Sequence, residues 1–169
     1  MLKPGYKIEV STEREQHRMI PQKWVRHLVE GTLNAEKVEL RSKVEVLLAG
    51  DDTVRALNEQ YRAQDSVTDV LSFPASQSDN DFPNFSVSPN DIGQIILSVP
   101  QAKRQADEFS IDIKQEAAHL IVHGLLHLLD YDHQSANDED LMHLRENAIL
   151  SELAGFQPHS LEEVTHGSE

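Results

Sequence analysis

The chain contains no cysteine. A disulfide framework, a thiolate metal site and a cysteine nucleophile are thereby excluded. It also has no long hydrophobic run. The longest mostly apolar stretch, Ala117 to Leu129, is broken by His119, His123 and His127 and is shorter than a membrane span. The opening residues, MLKPGYKIEV, lack the apolar segment of a secretory signal. These absences lead to the expectation of a soluble, cytoplasmic protein with no membrane partner.

Basic residues are scarce, with 15 Lys and Arg against 29 Asp and Glu, a net charge of −14. That argues against broad nonspecific binding to nucleic acid or anionic membrane. The imbalance is uneven, however. Residues 1–129 hold 14 basic and 19 acidic residues, and residues 130–169 hold 1 and 10. A nucleic-acid site in the first part is weakened by charge but not excluded. With 169 residues, 38% of them apolar and 26% charged, the chain has the make-up of one soluble globular domain. No repeat or low-complexity tract is visible. The expected division is a single domain over 1–156 and an acidic, mobile tail over 157–169.

Hydrophobic spacing predicts the elements. Tyr6 to Val10 suits a short first strand. Pro21 to Leu33 reads as a helix that buries Trp24, Leu28, Val25 and Leu33. In Lys43 to Ala49, Val44, Val46 and Leu48 alternate as in a strand, and Asp51 or Asp52 then caps a helix carrying Val54, Leu57 and Tyr61. Val67 to Phe73, stopped by Pro74, reads as another strand. Ala75 to Asp91 is rich in Ser, Asn, Asp and Pro and reads as a long mobile loop. Ile92 to Val99 is a third clear strand, and Pro100 suits the first turn of a helix running to Phe109. Asp112 with Gln115 forms a capping box ahead of Ile113 to Leu129, whose apolar residues wrap most of a helix and so place it in the core. A last helix spans about Asp138 to Leu153. Strands interleaved with helices and a buried helix late in the chain indicate an α+β or α/β layered fold.

The chemistry lies in His123-Gly-Leu-Leu-His127-Leu-Leu-Asp-Tyr-Asp-His133. Residues four apart on a helix stack on one face, so His123 and His127 can converge on one ion. His133, past the helix end, can fold back as a third ligand. Three protein ligands leave one position open, the arrangement of a catalytic rather than a structural zinc site. Nine histidines in a chain of this length give roughly 0.5 chance pairs four apart but only about 0.03 triples at one prescribed spacing. A lone pair would be read as packed or exposed imidazoles. The triple on an otherwise apolar helix, at the ligand spacing of metzincin proteases, reads as a metal site. His119 also stands four residues from His123, but it is about 12 Å from His127 along the axis, so the two cannot share an ion. It is read as a supporting or packing residue. His17, His27, His143, His159 and His166 have no partner at ligand spacing and are read as surface residues. Where HExxH peptidases carry a glutamate general base, this chain has Gly124. A peptidase mechanism is put in doubt; metal binding is not.

Over roughly residues 44–156 the sequence resembles the YbeY family of bacterial metallo-endoribonucleases. The resemblance is carried by HGLLHLLDYDH, by a block containing Leu57-Asn58, Tyr61-Arg62, Asp65 and Thr68-Asp-Val-Leu-Ser-Phe-Pro74, and by Ile92-Gly93 with Ile95-Ile96. It implies an α+β, zincin-like fold, a mixed sheet of about four strands packed on a central ligand-bearing helix. It implies one zinc ion on His123, His127 and His133, with Arg62 facing the site. The implied activity is cleavage of single-stranded RNA, in maturation of the 3′ end of small-subunit (16S) ribosomal RNA and in ribosome quality control. The expected partners are therefore single-stranded RNA and the small ribosomal subunit, not DNA. The sequence departs from the family pattern at Asp130 and Ala63, where glycine is usual, and at Gln94, where aspartate is usual. The glycine at 130 is expected to carry a left-handed turn, which Asp tolerates better than most residues. Asp132 is either an orienting group beside a ligand or a turn residue. Two alternatives stand beside the nuclease: a metzincin-like peptidase, and a ribosome assembly factor with a mainly structural metal.

Overall fold

The computed structural model describes residues 5–16, 19–62, 68–75, 90–131 and 136–153. Four strands form one sheet: β1 (Lys7–Thr12), β2 (Lys43–Ala49), β3 (Val70–Pro74) and β4 (Asp91–Ser98), in the spatial order β1-β2-β4-β3. β1, β2 and β4 run parallel, and β3 pairs antiparallel with β4 at the edge, Ser72 opposite Ile95. The helices are α1 (Gln22–Ala35), α2 (Asp51–Arg62), α3 (Val99–Phe109), α4 (Ile113–Leu128) and α5 (Ala136–Glu152). This is the expected α+β architecture with a mixed four-stranded sheet. Among the described residues, no helix is long and apolar enough to cross a membrane.

Both faces of the central strands are covered, as parallel pairing demands. Val44, Val46, Leu48, Ile95 and Leu97 face the larger core, with Val25, Leu28, Val29 and Leu33 of α1 and most of α4. On the other face, Ala49, Leu71 and Ile96 pack with Val54 of α2. The register of β2 on β4 shifts after Lys43, which pairs with Asp91, while Val44 pairs with Gly93. Gly93 sits at φ +151°, where a Cβ would lie 2.5 Å from the Phe73 carbonyl oxygen. Only glycine fits that bulge.

Helix α4 lies at the centre, against the sheet at β3 and β4 and against α1, α3 and α5. Its start is fixed by sequence. The Asp112 side chain accepts from the Lys114 amide, and the Gln115 side chain accepts from the Asp112 amide. Ala117, Ala118, Ile121, Val122, Leu125 and Leu126 are buried around its circumference. The helix ends in a Schellman motif, in which the Tyr131 amide donates to the Leu126 carbonyl and the Asp130 amide to that of His127. Asp130 takes the left-handed position at φ 72°, so the turn expected at the departure from the family glycine is present.

Boundaries move by a few residues from those expected. β1 extends to Thr12, and β4 begins at Asp91. Val67 and most of the loop expected over 75–91 lie outside the described residues, as do Ala63 and the tail over 157–169.

Candidate active site

From Glu116 to Leu128, helix α4 is buried except along a single stripe at i, i+4 and i+8. His119, His123 and His127 hold partial exposure there while their neighbours are buried. The stripe forms one wall of a cavity of about 950 Å³. Asn58 and Tyr61 of α2, residues 68–72 and Pro74 at the sheet edge, and His143 of α5 complete the described lining. Tyr61 is braced edge-to-face on Phe73, with ring centroids 5.7 Å apart.

His123 and His127 come together. Their Nε2 atoms stand 3.0 Å apart, with the rings nearly perpendicular at 79°. Two nitrogens bound to one tetrahedral zinc at 2.0–2.1 Å would stand about 3.3–3.4 Å apart, so the pair lies within about 0.4 Å of the separation of two donors to one ion. Among the described residues, no group of three or more His, Cys, Asp or Glu side chains is arranged to hold a metal ion. The third expected ligand, His133, lies outside the described residues, and so does Asp132. Arg62 closes α2 immediately after cavity-lining Tyr61, but its side chain lies outside what the structure describes.

Sequence reasoning missed Glu146. This glutamate of α5 is fully buried, and its Oε1 is hydrogen-bonded to Nδ1 of His123. Its Oε2 faces Nδ1 of His119 at 3.7 Å and Nδ1 of His143 at 3.5 Å. Burial alone would push this carboxyl up. The hydrogen bond to His123 and the imidazoles of His119, His123 and His143 outweigh burial and hold it below the usual carboxylate range. A signal was available: Met142, Ile149 and Leu150 are buried, and Glu146 falls on their stripe at i+4, i−3 and i−4. A carboxylate on the core face of a helix demands a partner. His119, read as a supporting or packing residue, lines the cavity and faces Glu146. His143 is exposed, as expected of a surface residue, yet it also lines the cavity and faces Glu146 three residues further along α5. His27 is exposed, and His17, His159 and His166 lie outside the described residues.

Gly124 has a positive reason to be glycine. Its position faces the sheet, and a Cβ there would lie 3.0 Å from Ser72 Oγ and 3.5 Å from Ile95 Cδ1. Ser72 Oγ in turn donates to the Gly124 carbonyl at 3.3 Å. The close approach of α4 to β3 occupies the space that a peptidase glutamate would need. Gln94, where the family usually has aspartate, sits within β4 between Glu45 and Phe73 on the neighbouring strands.

The chain matches the family model described as Endoribonuclease YbeY over residues 7–154. It is 36% identical over 131 residues to an endoribonuclease YbeY of Desulforamulus reducens, covering 78% of this chain and 85% of that protein. It is 42% identical over 119 residues to the one of Moorella thermoacetica, covering 69% and 76%. Among solved structures it is similar to a Thermotoga maritima protein determined in solution, with a TM-score of 0.55 and 25% identity over 86% of this chain and 90% of that one. A match that spans all four strands and five helices, together with this identity to curated relatives, places the chain in the YbeY family of endoribonucleases.

Proposed function

We propose that the chain is a zinc-dependent endoribonuclease acting on single-stranded RNA, with His123, His127 and His133 as ligands of one zinc ion and Arg62 stabilising charge on the phosphate. One observation carries the reading. Two imidazole nitrogens from successive turns of a core helix face each other at 3.0 Å on a cavity wall, in a member of an endoribonuclease family. Zinc bound there supplies Lewis acidity toward a phosphodiester.

The chain's own residues suit an anionic substrate at this place. The protein carries a net charge of −14. Yet the described cavity lining holds four imidazoles and only one carboxylate, Asp69, whose Oδ1 accepts from the Val70 amide. The volume falls within the range of small-ligand sites, enough for a short stretch of nucleotide chain. Arg62 is the last residue of α2, next to cavity-lining Tyr61, and a guanidinium is the side chain suited to meet a phosphate bidentately. An in-line displacement needs a backbone free to rotate, which a single strand offers and a duplex does not. The crowding at Gly124 disfavours the peptidase alternative.

The cellular setting that goes with this reading is maturation of the 3′ end of 16S ribosomal RNA and ribosome quality control in the cytoplasm. Its support is the resemblance carried by the HGLLHLLDYDH segment. The test is to incubate zinc-loaded protein with single-stranded RNA, duplex RNA and unstructured peptide. Single strands are cleaved, while duplex and peptide stay intact. Arg62→Ala keeps zinc content and melting temperature and lowers cleavage on the order of 10²–10³-fold. Metal-dependent peptide hydrolysis without RNA cleavage, abolished by His127→Ala, would overturn the reading.

A further inference from the structure

We infer that Glu146 is a positioning residue of this site. Its buried carboxylate holds His123 as the tautomer with hydrogen on Nδ1, which leaves the lone pair of Nε2 directed beside Nε2 of His127. The consequence for metal affinity rests on the zinc reading above; the tautomer itself does not.

The two nitrogens of His123 have different neighbours on different elements. Nε2 meets His127 within α4, and Nδ1 meets Glu146 from α5, 23 residues further along the chain. An ionised carboxylate only accepts hydrogen bonds, so the ring nitrogen facing it must donate. A neutral imidazole with its proton on Nδ1 keeps its lone pair on Nε2, which is the form a metal ligand must take. A carboxylate on a ligand imidazole fixes both the tautomer and the ring orientation.

Packing alone does not account for this residue. Glu146 has no exposed side-chain surface, on a helix face it shares with Met142, Ile149 and Leu150. An apolar residue there would spare the desolvation of a charge. Moreover, among the described residues Glu146 Oε2 and His119 Nδ1 are both buried without a hydrogen-bond partner, facing each other at 3.7 Å. A contact serving stability only would not be expected to leave two buried polar atoms short of hydrogen bonds. The direction of Nε2 is what the arrangement secures, and α5 is the element that secures it.

The experiment compares the full-length wild type with Glu146→Gln and Glu146→Met. Long-range proton–nitrogen NMR of the metal-free protein reads the His123 tautomer, and competition with a chromophoric chelator reads zinc affinity. The melting temperature of the metal-free protein is the control for stability. The wild type shows hydrogen on Nδ1. Glu146→Met gives mixed tautomers and binds zinc about 10–100-fold more weakly. Glu146→Gln, whose amide oxygen still accepts from Nδ1, recovers most of that affinity. A purely structural role would instead lower the metal-free melting temperature and leave the affinity of the folded protein unchanged. Hydrogen on Nε2 of His123 in the wild type, or undiminished zinc affinity in folded Glu146→Met, overturns the proposal. A wild type that binds no zinc overturns the metal reading instead, and the NMR result still decides the tautomer. Should Glu146→Met not fold, the wild-type tautomer decides between the two roles.

Discussion

Replacing Gly124 by glutamate recreates the HExxH order of a peptidase, and the structure gives its consequence. A Cβ at Gly124 lies 3.0 Å from Ser72 Oγ and 3.5–3.6 Å from the Ile95 side chain. For Gly124→Ala, relief of glycine's helix penalty contributes about 1 kcal/mol. Against it stands a shift of Ser72 Oγ by a few tenths of an ångström, which weakens a neutral hydrogen bond worth about 0.5–1.5 kcal/mol. The two nearly cancel, so Gly124→Ala stays within about 1 kcal/mol of the wild type. The Gly124→Glu change adds a longer side chain ending in a carboxylate, directed into the contact of α4 with β3 and β4. Overpacking costs about 1–3 kcal/mol, and burying an unpartnered polar group costs a comparable amount or more. Gly124→Glu is therefore expected to lose about 3 kcal/mol or more, or roughly 6–12 °C in melting temperature for a domain of this size. Thermal and urea denaturation of the metal-free proteins measure both variants. A Gly124→Glu protein as stable as the wild type would refute the reasoning, because the crowding described at that position would then have no energetic weight.

Two further perturbations test the fold around the site. Asp130 holds the left-handed position that closes α4; Asp130→Gly should be at least as stable as the wild type, whereas Asp130→Val should lose about 1–2 kcal/mol, read as a lower melting temperature. Asp51 lies below the usual carboxylate range, chiefly because Arg104 donates to it at 2.9 Å and also because Ser98 Oγ donates at 2.8 Å. A carboxyl lowered in the folded state stabilises above its unfolded value, and that contribution disappears as pH falls through the folded value. The stability gap between wild type and Arg104→Gln should therefore be widest near neutrality and close below about pH 4; a gap in urea denaturation that is constant with pH would contradict the assignment.

What the sequence revealed and what it hid have separate physical causes. Capping and periodicity are local, so Asp112, Gln115 and the span of α4 were legible, as was the convergence of His123 and His127 one turn apart. The left-handed turn at Asp130 was legible because a glycine position narrows the backbone conformations allowed. Strand order was not. The insertion of β4 between β2 and β3 depends on pairings between residues far apart in the chain, which no local pattern encodes. Glu146 was hidden for the same reason, since its partner His123 belongs to another helix, and the inward role of His143 was hidden because the cavity it lines is built from several elements. On α5 the stripe was also blurred, because Leu141 and Leu144 are exposed while Glu146 is buried. In the sequence Gly124 shows only the lack of a base, and the neighbouring strand shows what its missing side chain makes room for.

The most direct test of the central claim is the metal content of the purified protein and its His123→Ala variant. Elemental analysis should find about one zinc ion per wild-type chain and almost none in folded His123→Ala, because one of the two nitrogens that face each other at 3.0 Å is then gone. Full zinc retention in His123→Ala, or a folded wild type that takes up no zinc when it is supplied, would contradict the account.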